Sequence, residues 1–98
     1  MTDILSGLTK EIAELGKKYS AERVVLFGSR ARGDNHERSD IDLAVFGLPD
    51  VACAPFRLDL EELPTLLKFD TVMDHDDTDA GLMENIRKDG ITLYGKDA

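Results

Sequence analysis

The sequence predicts an α/β (α+β) fold: a small mixed sheet with helices packed on it, in one domain. Three observations predict it. Apolar residues recur at helical spacing in the first segment, runs of β-branched and aromatic residues interleave with helical stretches, and glycine or proline closes most runs. The 98 residues suffice for a single two-layer core and leave little for a separate substrate-binding domain. No repeat or low-complexity tract breaks the pattern.

The first segment, Thr2 to about Tyr19, places Ile4, Leu5, Leu8, Ile12 and Leu15 three or four apart. Lys10, Glu11, Glu14, Lys17 and Lys18 fall on the other side, so an amphipathic helix is predicted. "RVVLFG" follows as a short buried strand closed by glycine. "SRARGDNHERS" has no apolar periodicity and contains Gly33, Asp34 and Asn35, which predicts a turn or single helical turn and then a polar loop. In that loop Ser39 is read as a cap on the turn into the next strand and His36 as a loop histidine. "DIDLAVFG" is the second strand, with Asp40, Asp42 and Ala44 on one face and Ile41, Leu43 and Val45 on the other.

After Gly47 a linker with Pro49 and Pro55 is expected, then a helix around Phe56 to Leu63, ended by Pro64. "LLKFDTVM", residues 66–73, reads as a third strand whose first residues could instead extend the helix. The acidic loop "DHDDTD" leads to a helix from about Asp79 to Asp89, stopped at Gly90, and "ITLY" forms a short final strand.

Composition narrows the function. The chain is 42% hydrophobic and 33% charged, which excludes a disordered polymer. No apolar run approaches the roughly 20 residues that span a bilayer, and the beginning of the chain lacks a signal-peptide pattern. A cytoplasmic protein with no membrane contact is expected. The lone Cys53 has neither a disulfide partner nor the basic neighbours of a reactive thiol, and reads as packing.

Net charge is −8, unevenly spread: residues 1–39 carry +1 and residues 40–98 carry −9. Direct binding to a nucleic-acid backbone is disfavoured, because that affinity comes chiefly from Lys and Arg. The segment from Arg23 to Arg38 is locally basic, however, and suits a small polyanion.

Within it lies the strongest chemical signal. Asp40 and Asp42 share a face about 7 Å apart at the backbone, and two bare carboxylates about 4 Å apart repel by roughly 4 kcal/mol at an effective dielectric of about 20. A divalent cation offsets this, and hard oxygen ligands of this kind suit Mg²⁺ or Mn²⁺. A D-x-D by itself also fits a strand-end cap beside a solvated carboxylate. Upstream, Gly28 directly after a strand permits close backbone approach, and Ser29 adds a hydroxyl and the N–H groups of the following turn, a cradle suited to phosphate.

Gly28-Ser29, ten residues, then Asp40-Ile41-Asp42 resembles the minimal nucleotidyltransferases of the DNA polymerase β superfamily. "KFDTVMD" supplies Asp70 where that family carries a third carboxylate. Asp74 is its competitor, disfavoured because it opens the acidic loop whereas Asp70 has apolar neighbours. The ending "NIRKDGITLYG" also looks like the family's close, so the resemblance covers most of the chain.

The resemblance implies transfer of a nucleotide, AMP from ATP, to an acceptor hydroxyl. Asp40, Asp42 and Asp70 would be the catalytic, metal-holding carboxylates; Gly28 and Ser29 would hold the β- and γ-phosphates, with Arg30 or Arg32 assisting. The minimal members are typically antitoxins paired with a helical HEPN-domain ribonuclease, and some add AMP to a tyrosine of that toxin. This makes a protein hydroxyl the expected acceptor and a HEPN toxin the expected partner. Two other readings stay open: a non-catalytic antitoxin that neutralises its partner by contact, and a transferase acting on a small hydroxylated molecule.

Overall fold

A computed structural model of the chain describes residues 5–33, 40–63, 65, 67–73 and 80–95. The elements run α1 (Leu5–Lys18), β1 (Arg23–Phe27), α2 (Ser29–Arg32), β2 (Ile41–Phe46), α3 (Asp50–Glu61), β3 (Phe69–Met73), α4 (Ala80–Asp89) and β4 (Ile91–Gly95). The four strands form one sheet in the order β3-β2-β1-β4. β1 is antiparallel to β2 and β4, while β2 and β3 are parallel. A parallel pair needs a crossover connection, and α3 supplies it. The mixed sheet with helices packed on it is the architecture expected from the sequence.

Alternation along the strands divides the interior in two. Val24 and Leu26 of β1, with Ile41, Leu43 and Val45 of β2, join Leu8 and Ile12 of α1 and Ala52, Phe56 and Leu60 of α3 in the larger core. Val25, Phe27 and Ala44 face the other way and meet Ile86 of α4 in a smaller one. Phe56, Ile12, Ile41, Leu43 and Leu60 are almost wholly buried, each worth about 1.5–3 kcal/mol by area removed from water. Tyr19 ties α1 to α3: its hydroxyl donates to Asp59 Oδ2 at 2.5 Å, and its ring meets Phe56 edge-on at 6.1 Å. Lys18 Nζ reaches the same carboxylate oxygen at 3.0 Å.

Two element boundaries differ from the sequence reading. The expected linker containing Pro49 and Pro55 is mostly helix: Pro49 caps α3 and Pro55 lies inside it. Proline deprives the carbonyl four residues back of its partner. Here that residue is Val51, in the first turn and 88% exposed, where water can take the bond. The third strand starts at Phe69, not Leu66, because Thr65 Oγ1 accepts the Leu67 N–H at 3.1 Å and turns the chain first. The readings of His36, Ser39, Pro64 and Asp74 fall outside the described residues.

Candidate active site

β1 and β3 flank β2, and their registers place Phe27 on one side of Asp42 and Asp70 on the other. Residues paired across a ladder point to the same face. The Asp42 and Asp70 side chains are therefore neighbours on the face that also carries α4. Asp40 immediately precedes β2 and is exposed, Asp42 is half-buried, and Asp70 is exposed on an edge strand.

Asp40 and Asp70 lie near enough for their charges to act on Asp42. Burial pushes the Asp42 carboxyl above its ordinary range, the charges of Asp70 and Asp40 push it further, and the Arg32 guanidinium opposes them. Among the described residues, no three carboxylate, imidazole or thiol side chains converge on one point at metal-ligating distance. The backbone supplies proximity, since the register sets Asp42 beside Asp70. The donor set itself, hard carboxylate oxygens of which two raise the proton affinity of the third, Asp42, fits a Mg²⁺ or Mn²⁺ ion.

Gly28 ties the two halves of the sequence motif together. Its φ of 78° lies in the left-handed region, which glycine enters without strain. A Cβ at this position would collide with Asp42 Oδ2 and stand 3.1 Å from Asp42 Cγ. The backbone of the turn is thus packed directly against the central carboxylate. α2 follows as a single helical turn: the Gly28 carbonyl accepts the N–H groups of Ala31 and Arg32, each at 3.1 Å, and Gly33 N–H returns to the Ser29 carbonyl at 2.8 Å. Ser29 and Arg30 are half-buried and Arg32 is exposed. Arg23, counted in the basic segment, belongs elsewhere. It pairs with Phe46 at the other end of β1, its guanidinium 4.5 Å from the centre of that ring.

Sequence reasoning gave no hint of a cavity of about 480 Å³ on the α3 face of β3, with Arg57, Leu60, Glu61, Lys68, Phe69 and Thr71 among its walls. The Asp42 and Asp70 side chains point to the opposite face of the sheet. The cavity walls come from α3 and the next strand, β3, and they meet only once the crossover has folded back, so no local pattern announces the cavity.

A mixed sheet whose central carboxylate lies between a glycine-serine turn and an in-register aspartate defines a nucleotidyl-transfer type of domain. Residues 10–98 match the family model described as polymerase beta, nucleotidyltransferase, and the chain belongs to that family. It is 32% identical over 98 residues to MJ1215 of Methanocaldococcus jannaschii, a candidate protein adenylyltransferase, covering all of this chain and 91% of that protein. It is 35% identical over 69 residues to the protein adenylyltransferase MntA of Thermococcus cleftensis, covering 70% of this chain but only 57% of that relative's length. In three dimensions it resembles a solved toxin–antitoxin complex with AMP-PNP at a TM-score of 0.70 and 26% identity, over 90% of this chain and 73% of that one. No described helix is long and apolar enough to cross a membrane.

Proposed function

We propose that this chain transfers AMP from ATP to a hydroxyl of a partner protein, a helical HEPN-domain ribonuclease toxin, and so acts as its antitoxin. One observation carries the reading: Asp42 stands in register with Asp70 and against the backbone of Gly28. Phosphate held by the turn and an acceptor placed beside Asp70 would meet across Asp42. The names of the two relatives and the nucleotide in the solved complex support AMP as the group and a protein as the acceptor.

In this scheme Gly28 and Ser29 hold the β- and γ-phosphates, and Arg30 and Arg32 add positive charge beside them. Asp40, Asp42 and Asp70 hold the divalent ions. When bound, Mg²⁺ or Mn²⁺ in such a site neutralises charge on the entering and leaving oxygens. The acceptor oxygen forms a bond to the α-phosphorus as the bond from that phosphorus to the bridging oxygen breaks. Pyrophosphate leaves, and Asp70 takes the acceptor's proton.

The test is label transfer. With ATP labelled at the α-phosphate, Mg²⁺ and the partner protein, the partner should become labelled, and Asp42→Asn should lower the rate by about 10³-fold or more. Label transfer undiminished in Asp42→Asn would refute the assignment. A tight complex that never labels would instead favour neutralisation by contact alone.

A further inference from the structure

β3 is one of the two edge strands of the sheet, and among the described residues nothing pairs with its free side. Its ladder to β2 fixes which main-chain groups point outward. The Ile41 N–H donates to the Lys68 carbonyl at 2.9 Å, in a parallel register that pairs Ile41 with Phe69 and Asp42 with Asp70. Main-chain groups alternate sides along a strand, so Phe69 and Thr71 present their N–H and C=O groups to the free edge. Side chains alternate in the other sense. Asp70 points to the carboxylate face, while Phe69 and Thr71 point to the α3 face, where they line the cavity of about 480 Å³.

From this we infer that the free edge of β3 takes up an extended segment of the acceptor protein as an added strand. The residue bearing the hydroxyl lies opposite Asp70, and a flanking acidic side chain enters the cavity that holds Arg57 and Lys68. The inference rests on the proposed transfer to a protein hydroxyl and says how that hydroxyl is delivered.

Geometry supplies the first argument. A residue paired with Asp70 has its Cβ about 4.5–5.5 Å from that of Asp70 and on the same face, whichever way the added strand runs. Its two neighbours then project to the opposite face, over the cavity. One strand thus reaches both the carboxylates and a hollow that lies behind them. Main-chain pairing would give affinity and the alternate pockets selectivity, as in other strand-addition complexes.

Charge supplies the second. In a chain of net charge −8, the cavity wall carries the two cations Arg57 and Lys68 against one anion, Glu61. Arg57 is already turned toward the strand, its Nε donating to Thr71 Oγ1 at 3.0 Å. Leu60, Leu67 and Phe69 form the apolar part of the lining. A glutamate side chain, with an aliphatic stem and an anionic tip, matches that combination, whereas a lysine would meet like charge.

The experiment uses tyrosine-centred peptides with glutamate or lysine beside the tyrosine, Mg²⁺ and α-labelled ATP, and the partner protein that co-purifies with this chain as a second substrate. Wild type should label the glutamate-flanked peptide with a KM lower by about tenfold than the lysine-flanked one. Lys68→Glu, and the double variant with Arg57→Glu, should reverse that preference and leave AMP-PNP affinity unchanged. N-methylation of the peptide at the tyrosine, or at both of its neighbours, should abolish labelling according to whether the added strand is parallel or antiparallel.

Failure would take distinct forms. If the whole partner is labelled but the peptides are not, or if the charge variants and N-methylation leave peptide KM unmoved, edge docking is overturned and protein adenylylation stands. If nothing is labelled while AMP-PNP still binds, the transfer reading falls, and edge docking falls with it.

Discussion

On one face of the sheet, Val24, Leu26, Ile41, Leu43 and Val45 are sealed beneath α1 and α3 by Ile12, Phe56 and Leu60. On the other, Val25, Phe27 and Ala44 meet α4 through Ile86, and the next positions outward on β2 and β3 are occupied by Asp42 and Asp70. The same two strands therefore present apolar side chains to one face and clustered carboxylates to the other. Burial stabilises the first face. Desolvation and like charge oppose folding on the second, where Asp42 has its proton affinity raised by both. The contrast separates stability from chemistry across a single layer of backbone, and it can be broken by mutation on either side.

The largest effect is expected on the sealed face. Phe56 is fully buried, and Phe56→Ala should cost about 3–5 kcal/mol in urea denaturation. AMP-PNP affinity, measured well below the unfolding transition, should stay within about twofold, since the ring lies across the sheet from the carboxylates. An affinity that fell with stability would show that the two faces are not separable.

An intermediate effect is expected where the turn proposed to hold phosphate touches the carboxylate. Gly28→Val places a β-branched side chain at φ 78° and drives its Cβ into Asp42. The backbone strain is about 1–3 kcal/mol, small enough for the fold to persist, and AMP-PNP affinity should drop by at least about tenfold because the turn and Asp42 are displaced together. Unchanged affinity in calorimetry would remove Gly28 from the site.

These two residues also mark what the sequence could and could not disclose. Phe56 and the β1 and β2 core positions follow from spacing, because burial imposes a period of 3.6 on helices and 2 on strands. Gly28, Asp40 and Asp42 were visible as a motif. Their meeting was not, since the contact between Gly28 and Asp42 depends on the antiparallel register of β1 and β2. Sequence reasoning justified Gly28 by room for a ligand, whereas the contact the structure displays is with Asp42 itself. The start of α3 was hidden by Pro49 and Pro55, which act as breakers in a local reading but are tolerated at a helix cap and above an exposed first-turn carbonyl. The cavity between α3 and β3 was illegible for a similar reason: only the parallel crossover brings Arg57 beside Lys68 and Thr71.

The smallest effect has the opposite sign, and it sharpens the comparison most. The Asp42 carboxyl holds its proton more tightly in the folded than in the unfolded chain. A raised folded value means that protonation favours folding. The contribution is intact below the ordinary aspartate value of 3.8 and is lost as pH rises through the elevated folded value. At neutral pH, without nucleotide or divalent ion, Asp42→Asn should therefore raise Tm by a few degrees, where the same kind of change on the sealed face would lower it. Below pH of about 3.8 the two melting curves should converge, since both side chains are then neutral. Addition of Mg²⁺ and AMP-PNP should reverse the order, because a ligand that binds only the wild-type fold stabilises it by RT ln(1 + [L]/Kd), about 2.7 kcal/mol at a hundred times Kd. A variant less stable than wild type at neutral pH in the ligand-free state would mean that Asp42 serves the fold, and the division between the two faces would fail at its central residue.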